Sequence, residues 1–221
     1  MPINDKYKII YFHIPKTAGS SIEKMLEMDY DKKNILKKLN NHDNTYDCPA
    51  YQHFIPEKLK PFIKSSHKWD TYHKCVSVRN PYDRAVSSYE FCKKQKFIIN
   101  SETSFYNFLT KAYSIVHKHD VNDDIYDRVP FLHHFRPQKH WFQNHDLYDI
   151  LIRYEHLDED VDHLKKIVNC KNKMPHILQR SDHKDMKNYY DKNTLLLFDK
   201  VYGCDLCLSP KNNVIYERIT L

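Results

Sequence analysis

The chain has 221 residues, enough for one sizeable α/β domain and short for two. With 41% hydrophobic and 14% aromatic residues it is too apolar for wholesale disorder, and no run approaches the roughly 18 apolar residues that mark a membrane helix. The formal charge of +6 comes from mixed Lys and Asp rather than a dense basic arm, which argues against a nucleic-acid partner and suits an acidic ligand.

The N-terminus, MPINDKYKII, lacks a signal-peptide layout, and the chain has no N-x-[ST] acceptor site. The expectation is a soluble, intracellular protein without a membrane anchor. Richness in Lys, Asn, Ile, Tyr and Asp with few Gly points to an AT-rich genome, such as that of a microbe or large virus.

Residues 8–13 carry Ile9, Ile10, Tyr11 and Phe12, a β-branched and aromatic run that predicts a buried strand. Pro15 ends it, having no N–H to donate. Lys16-Thr17-Ala18-Gly19-Ser20-Ser21 follows as a polar turn, and Ile22, Met25 and Leu26 then share a helical face. Ser20 and Glu23 have capping-box spacing. Gly19 is one of only two glycines, which predicts a sharp backbone turn or a close ligand approach. Free N–H groups with Lys16, Thr17, Ser20 and Ser21 would make an anion nest; the bland reading is a capped helix with a surface lysine. The G-x-x-x-x-G-K-[ST] loop of nucleoside triphosphatases is absent, because Lys16 precedes the glycine.

Residues 31–40 predict a lysine-rich helical stretch and 40–49 a loop. A short helix is expected over 56–62, leading to His67. Residues 74–80 predict a second strand, and Asn80-Pro81 opens a helix with Asn80 as cap and Pro81 first. Arg79 ends that strand, and Ser87 lies about two turns into the helix. Arg84 either assists them or pairs with a carboxylate such as Asp83. A helix over 104–117 is capped by Ser104, 122–130 is a loop, and a short helix runs through Trp141. Residues 148–154 form a third strand, and Leu157, Val161, Leu164 and Val168 mark the helix after it. Residues 174–188 are polar, with Arg180, Lys184 and Lys187. A final helix spans 193–202, with Gly203 as its cap. Cys204 and Cys207 have metal or redox spacing but no second pair, so they read as reduced thiols. His133 and His134 lack a third ligand, and no metal is expected.

Two motifs carry a resemblance. HIPKTAGSS is similar to the 5′-phosphosulfate loop of sulfotransferases that use 3′-phosphoadenosine 5′-phosphosulfate (PAPS), in their carbohydrate branch. VSVRNPYDRAVSSYEF resembles the 3′-phosphate motif V-R-[ND]-P-x-x-R-x-x-S of the same superfamily. Arg153-Tyr154-Glu155-His156-Leu157-Asp158-Glu159-Asp160 follows its R-x-E-x-L-x-x-D signature, and Pro137-Gln138 also occurs in relatives, near the acceptor cleft. The resemblance implies a single α/β domain over residues 1–221, with a central parallel sheet flanked by helices, related to the nucleoside-triphosphate-binding folds. It implies a sulfuryl transfer from PAPS to a hydroxyl, on a carbohydrate by branch, without a metal. Lys16 would stabilise charge on the transferred group. The loop of Lys16, Thr17, Ala18, Gly19, Ser20 and Ser21 would hold the 5′-phosphate, through backbone N–H groups around Gly19 with Thr17, Ser20 and Ser21, and Arg79 with Ser87 would hold the 3′-phosphate. His67 matches the place of the catalytic base, with His13 and His53 as rivals. A metal-dependent phosphotransferase and a non-catalytic PAPS- or sulfated-glycan-binding module remain as alternatives.

Overall fold

The computed structural model describes residues 3–28, 51–63, 66–96, 98–129, 131–144, 146–175, 185–209 and 214–220. Its centre is a four-stranded sheet ordered β1 (Ile3–Asn4), β2 (Ile9–Phe12), β3 (His73–Val78) and β4 (Ile150–Arg153). β1 pairs antiparallel to β2, while β2, β3 and β4 run parallel. A parallel sheet is covered on both faces, so its strands read as continuous apolar runs. All four residues of β2 are accordingly buried. Ile9 and Tyr11 face one cluster with Cys75, Ile150 and Ile152; Ile10 and Phe12 face the other with Val76 and Val78.

Helices α1 (Gly19–Met25) and α7 (Leu157–Ile167) cover the first face through Ile22, Met25, Leu26, Val161 and Leu164. The second face is closed by Phe54, Ile55, Trp69, Trp141, Phe142 and Tyr148. Between these come α2 (Pro56–Leu59), α3 (Ser66–Thr71), α4 (Pro81–Gln95), α5 (Phe105–Lys118) and α6 (Ile125–Arg128). α4, α5 and α8 (Lys192–Tyr202) pack on one another through Val86, Phe108, Leu109, Phe198 and Tyr202, a second core beside the sheet. Each such buried side chain contributes about 1.5–3 kcal/mol.

The caps behave largely as expected. Asn80 accepts from the Tyr82 amide at 3.0 Å with Pro81 opening α4, and Ser104 accepts from Asn107 at 3.1 Å. Asp191 and Thr194 form a reciprocal capping box on α8. Gly203 is the C-cap of α8 as expected, though right-handed (φ −57°), because the chain tightens there into a 3-10 turn, Gly203–Leu206. Three expectations need correction. Ser20 and Glu23 form no capping box: α1 begins two residues earlier than a Ser20 cap would place it, its cap is Ala18 with no side-chain bond, and Glu23 turns inward. Residues 125–128 make a helical turn within the expected loop. His67 lies on α3, not at a strand end. The stretches 31–40 and 40–49, Cys48, Arg180 and Lys184 lie outside the described residues. Cys75, Cys92, Cys170, Cys204 and Cys207 are free thiols. Among the described residues no helix is long and apolar enough to cross a membrane.

Candidate functional site

Both motifs lie at the carboxyl ends of neighbouring parallel strands, where open α/β sheets place their ligands. After β2 the chain turns through Lys16 (φ 70°) and Ala18 (φ 67°), two non-glycine residues in the left-handed region. Each costs about 1–2 kcal/mol, and strain of this kind collects at ligand clamps. The turn is held from inside by hydroxyls. Thr17 is fully buried, and its Oγ1 donates to the Ile14 carbonyl at 2.7 Å. That proton being used, Ser77 must donate to Thr17 (2.6 Å) and Tyr11 to Ser77 (2.5 Å). The Thr17 hydroxyl therefore braces the loop and does not face a ligand, which corrects its expected side-chain role. Ala18 and Ser20 are half-buried and Ser21 is buried.

Gly19 is needed for a reason the sequence did not show. It is helical, not left-handed. A Cβ there would stand 2.1 Å from His13 Cδ2 and 2.2 Å from Nε2, so the close approach is by the His13 ring. That ring is fixed by buried Glu23, whose Oε2 is 2.8 Å from His13 Nδ1.

Arg79 joins the two motifs. Its Nη1 donates to the Lys16 carbonyl at 3.1 Å, Nε and Nη2 reach Asp83 Oδ2 at 2.7 and 2.6 Å, and the guanidinium stacks 3.8 Å from the Tyr154 ring. These bonds use three of five guanidinium N–H groups. Asp83 thus pairs with Arg79, and Arg84 turns elsewhere: buried, it donates to the carbonyls of Pro15 (3.0 Å) and Arg136 (3.0 Å). Arg84 is a brace for the loop.

Lys16 Nζ stands 4.5 Å from the centroid of Phe91. Asp83, Ser87 and Phe91 follow at i, i+4 and i+8 on one face of α4. Because Arg79 meets that row at Asp83 and Lys16 meets it at Phe91, Ser87 lies on the row between the two cations. Burial, then the charge of Arg79, lowers the Lys16 ammonium to about 8.

Imidazoles gather beside this lysine. His134 stacks on Phe91 (centroids 4.5 Å, 17°), His133 stacks on His53 (4.1 Å), and His53 lies edge-on to His13 (4.5 Å). Burial, reinforced by neighbouring positive groups, pushes His53, His133 and His134 well below the usual imidazole range, so they are neutral near pH 7. His53 Nδ1 is 2.8 Å from the His13 carbonyl. A carbonyl only accepts, so Nδ1 carries the proton and Nε2 a lone pair. No group of three or more ligating side chains among the described residues is arranged for a metal ion.

His67 is not among these imidazoles. It is exposed on α3, which precedes the amino end of β3. Its neighbour Lys68 pairs with Asp5, in the turn before β2, at 2.8 Å. That is the amino end of the parallel strands, opposite the carboxyl end where Lys16 lies, which corrects its expected position. Three residues that sequence reasoning passed over also build the site. Gln138 bonds both the N–H and C=O of Arg79 (3.0 and 2.8 Å), and Glu155 accepts from the Asn80 amide at 2.5 Å. Tyr154 supplies the ring under Arg79. Pro137-Gln138 and the R-x-E signature were their signals, read only as family background.

A model described as the sulfotransferase family matches residues 1–203. The chain belongs to the sulfotransferase family. It is 23% identical to carbohydrate sulfotransferase 11 of Rattus norvegicus over 192 residues, which cover 75% of this chain and 51% of that protein. The same figures hold for the Mus musculus protein. The Danio rerio protein is 24% identical over 107 residues, 46% of this chain and 27% of the relative. The chain spans about half the length, or less, of these sulfotransferase relatives. No solved structure gives a significant match.

Proposed function

We propose that this chain transfers a sulfuryl group from PAPS to an acceptor hydroxyl. The observation that carries the reading is the Arg79–Lys16 bond at 3.1 Å, which joins the two phosphate motifs at adjacent strand ends. The residues fit the donor: a strained loop with turned backbone, a cation at each end of the Asp83–Ser87–Phe91 row, and two guanidinium N–H groups to spare. PAPS, when bound, supplies an activated sulfuryl group on a phosphate leaving group.

Lys16 stabilises negative charge building on the bridging and sulfuryl oxygens, and the backbone of residues 16–21 holds the 5′-phosphate. Arg79 and Ser87 hold the 3′-phosphate through a charge-assisted fork and a hydroxyl. His53 replaces His67 as the base: in its tautomer Nε2 carries the lone pair, which accepts from Gln52 Nε2 at 3.0 Å until the acceptor hydroxyl takes that amide's place, and burial keeps the ring neutral. The acceptor oxygen bonds to sulfur, the sulfur–phosphate oxygen bond breaks, and the acceptor proton passes to His53 Nε2. The products are a sulfate ester and 3′-phosphoadenosine 5′-phosphate (PAP). Positioning and charge stabilisation do the work, as in phosphoryl transfer. The names of the relatives favour a carbohydrate as the acceptor.

Calorimetric titration with PAP, 5′-AMP and ATP with Mg²⁺ tests the reading. Tight PAP binding, lost without the 3′-phosphate, is expected. A preference for ATP with Mg²⁺ would overturn it.

A further inference from the structure

Arg79 stands one residue beyond the ladder of the sheet. β2 ends at Phe12, opposite Val76, and β4 ends at Arg153, opposite Val78. No strand remains to hold residue 79, yet its side chain has to be aimed. Gln138 takes the missing strand's place: its Oε1 accepts from the Arg79 N–H and its Nε2 donates to the Arg79 C=O. An amide is the right group, since it offers an acceptor and a donor on one planar unit.

Gln138 is in turn held from below. Asp205 is fully buried, in the 3-10 turn after α8, just past the residues that the family model matches. Its Oδ2 accepts from the Gln138 amide at 2.9 Å and its Oδ1 from the Lys139 amide at 2.8 Å. Two successive N–H groups on one carboxylate fix the backbone from which the Gln138 side chain extends.

We propose that Asp205 is a positioning residue for Arg79, acting through Gln138, so that affinity for the 3′-phosphate depends on this buried carboxylate. The inference rests on the assignment of Arg79 to the 3′-phosphate. The groups facing Asp205 are Arg84 from α4, Tyr202 from the end of α8, Cys204 beside it, Lys139, and Tyr216. Burial raises the Asp205 carboxyl to about 6 against the pull of Arg84 and the two amides. Below that pH it takes up a proton and loses an acceptor for one of the two N–H groups.

The test is PAP and 5′-AMP titration of wild type, Asp205→Asn, Gln138→Met and the double variant, with thermal melts to show that each is folded. Asp205→Asn and Gln138→Met should each weaken PAP about 10-fold and 5′-AMP much less. The double variant should lose little more than either single one, because both break one link. The PAP affinity ratio of wild type to Asp205→Asn should fall toward one as pH drops through 6; taking the ratio cancels titration of the ligand phosphate. Equal losses for both nucleotides, additive losses, or no loss would overturn the inference. If Asp205→Asn does not fold, Gln138→Met with the two nucleotides decides it. A wild type that does not prefer PAP over 5′-AMP would instead overturn the assignment of Arg79.

Discussion

The chain's two glycines make an internal control on how the loop after β2 is packed. At Gly19 an added methyl would sit 2.1 Å from His13 Cδ2, 2.2 Å from Nε2 and 2.6 Å from Cγ, where unstrained carbon contacts are about 3.5–4.0 Å. The ring cannot easily retreat, because Glu23 holds Nδ1 at 2.8 Å and the His53 ring lies 4.5 Å away. Overpacking of this kind costs about 1–3 kcal/mol, and each kcal/mol lowers Tm by roughly 2–4 °C in a chain of this size. At Gly203 the nearest atom to the same methyl is Asp199 Cβ at 3.8 Å, an ordinary contact, and φ is −57°. Gly203→Ala should be neutral or stabilising by up to about 1 kcal/mol, since alanine loses less chain entropy. Urea unfolding of wild type, Gly19→Ala and Gly203→Ala measures both. Gly19→Ala within about 0.5 kcal/mol of wild type would refute the packing argument, because the 2.1 Å approach leaves no unstrained alternative.

Three further predictions concern the site. Lys16 loses its proton near pH 8 because burial and Arg79 both disfavour its charge; turnover should fall as pH rises through about 8, Lys16→Ala should lose about 10²-fold or more, and Lys16→Arg should lack the falling limb because guanidinium stays charged. A falling limb near pH 8 that survives in Lys16→Arg would remove Lys16 from it. His53→Ala should lower turnover by about 10²–10⁴-fold with PAP affinity little changed, while His67→Ala should match wild type; the reverse pattern in steady-state kinetics would restore His67. Thr17→Val breaks the hydroxyl chain to Ser77 and Ile14 and should cost about 1–3 kcal/mol in a denaturation curve. Lost PAP affinity at full stability would return the Thr17 hydroxyl to the ligand.

Much of this was legible residue by residue. β2, β3 and β4 announce themselves as short apolar runs, and Asn80-Pro81, Ser104 and the α8 boundary follow from local hydrogen-bond chemistry. Lys16 stood out as the cation of a polar turn before a helix, and Arg79 through the resemblance of its motif. Thr17 did not read correctly, because a hydroxyl in a polar turn looks the same whether it meets a phosphate or Ser77. Glu23 did not either: three residues after a serine it fits a cap, yet burial beside His13 won. Among 15 histidines the resemblance selected His67 by its place in the chain, and a helix stands where a strand end was expected.

The division follows sequence separation. Strand alternation, caps and the strained turn are set by neighbours within a few positions, and those interactions exist in the chain before it folds. The Arg79–Lys16 bond joins residues 63 apart, His53 meets the His13 carbonyl across 40, and Gln138 reaches Arg79 across 59 and Asp205 across 67. Parallel strands need long crossovers, so which side chains meet at their carboxyl ends is settled only when the sheet closes and buries them.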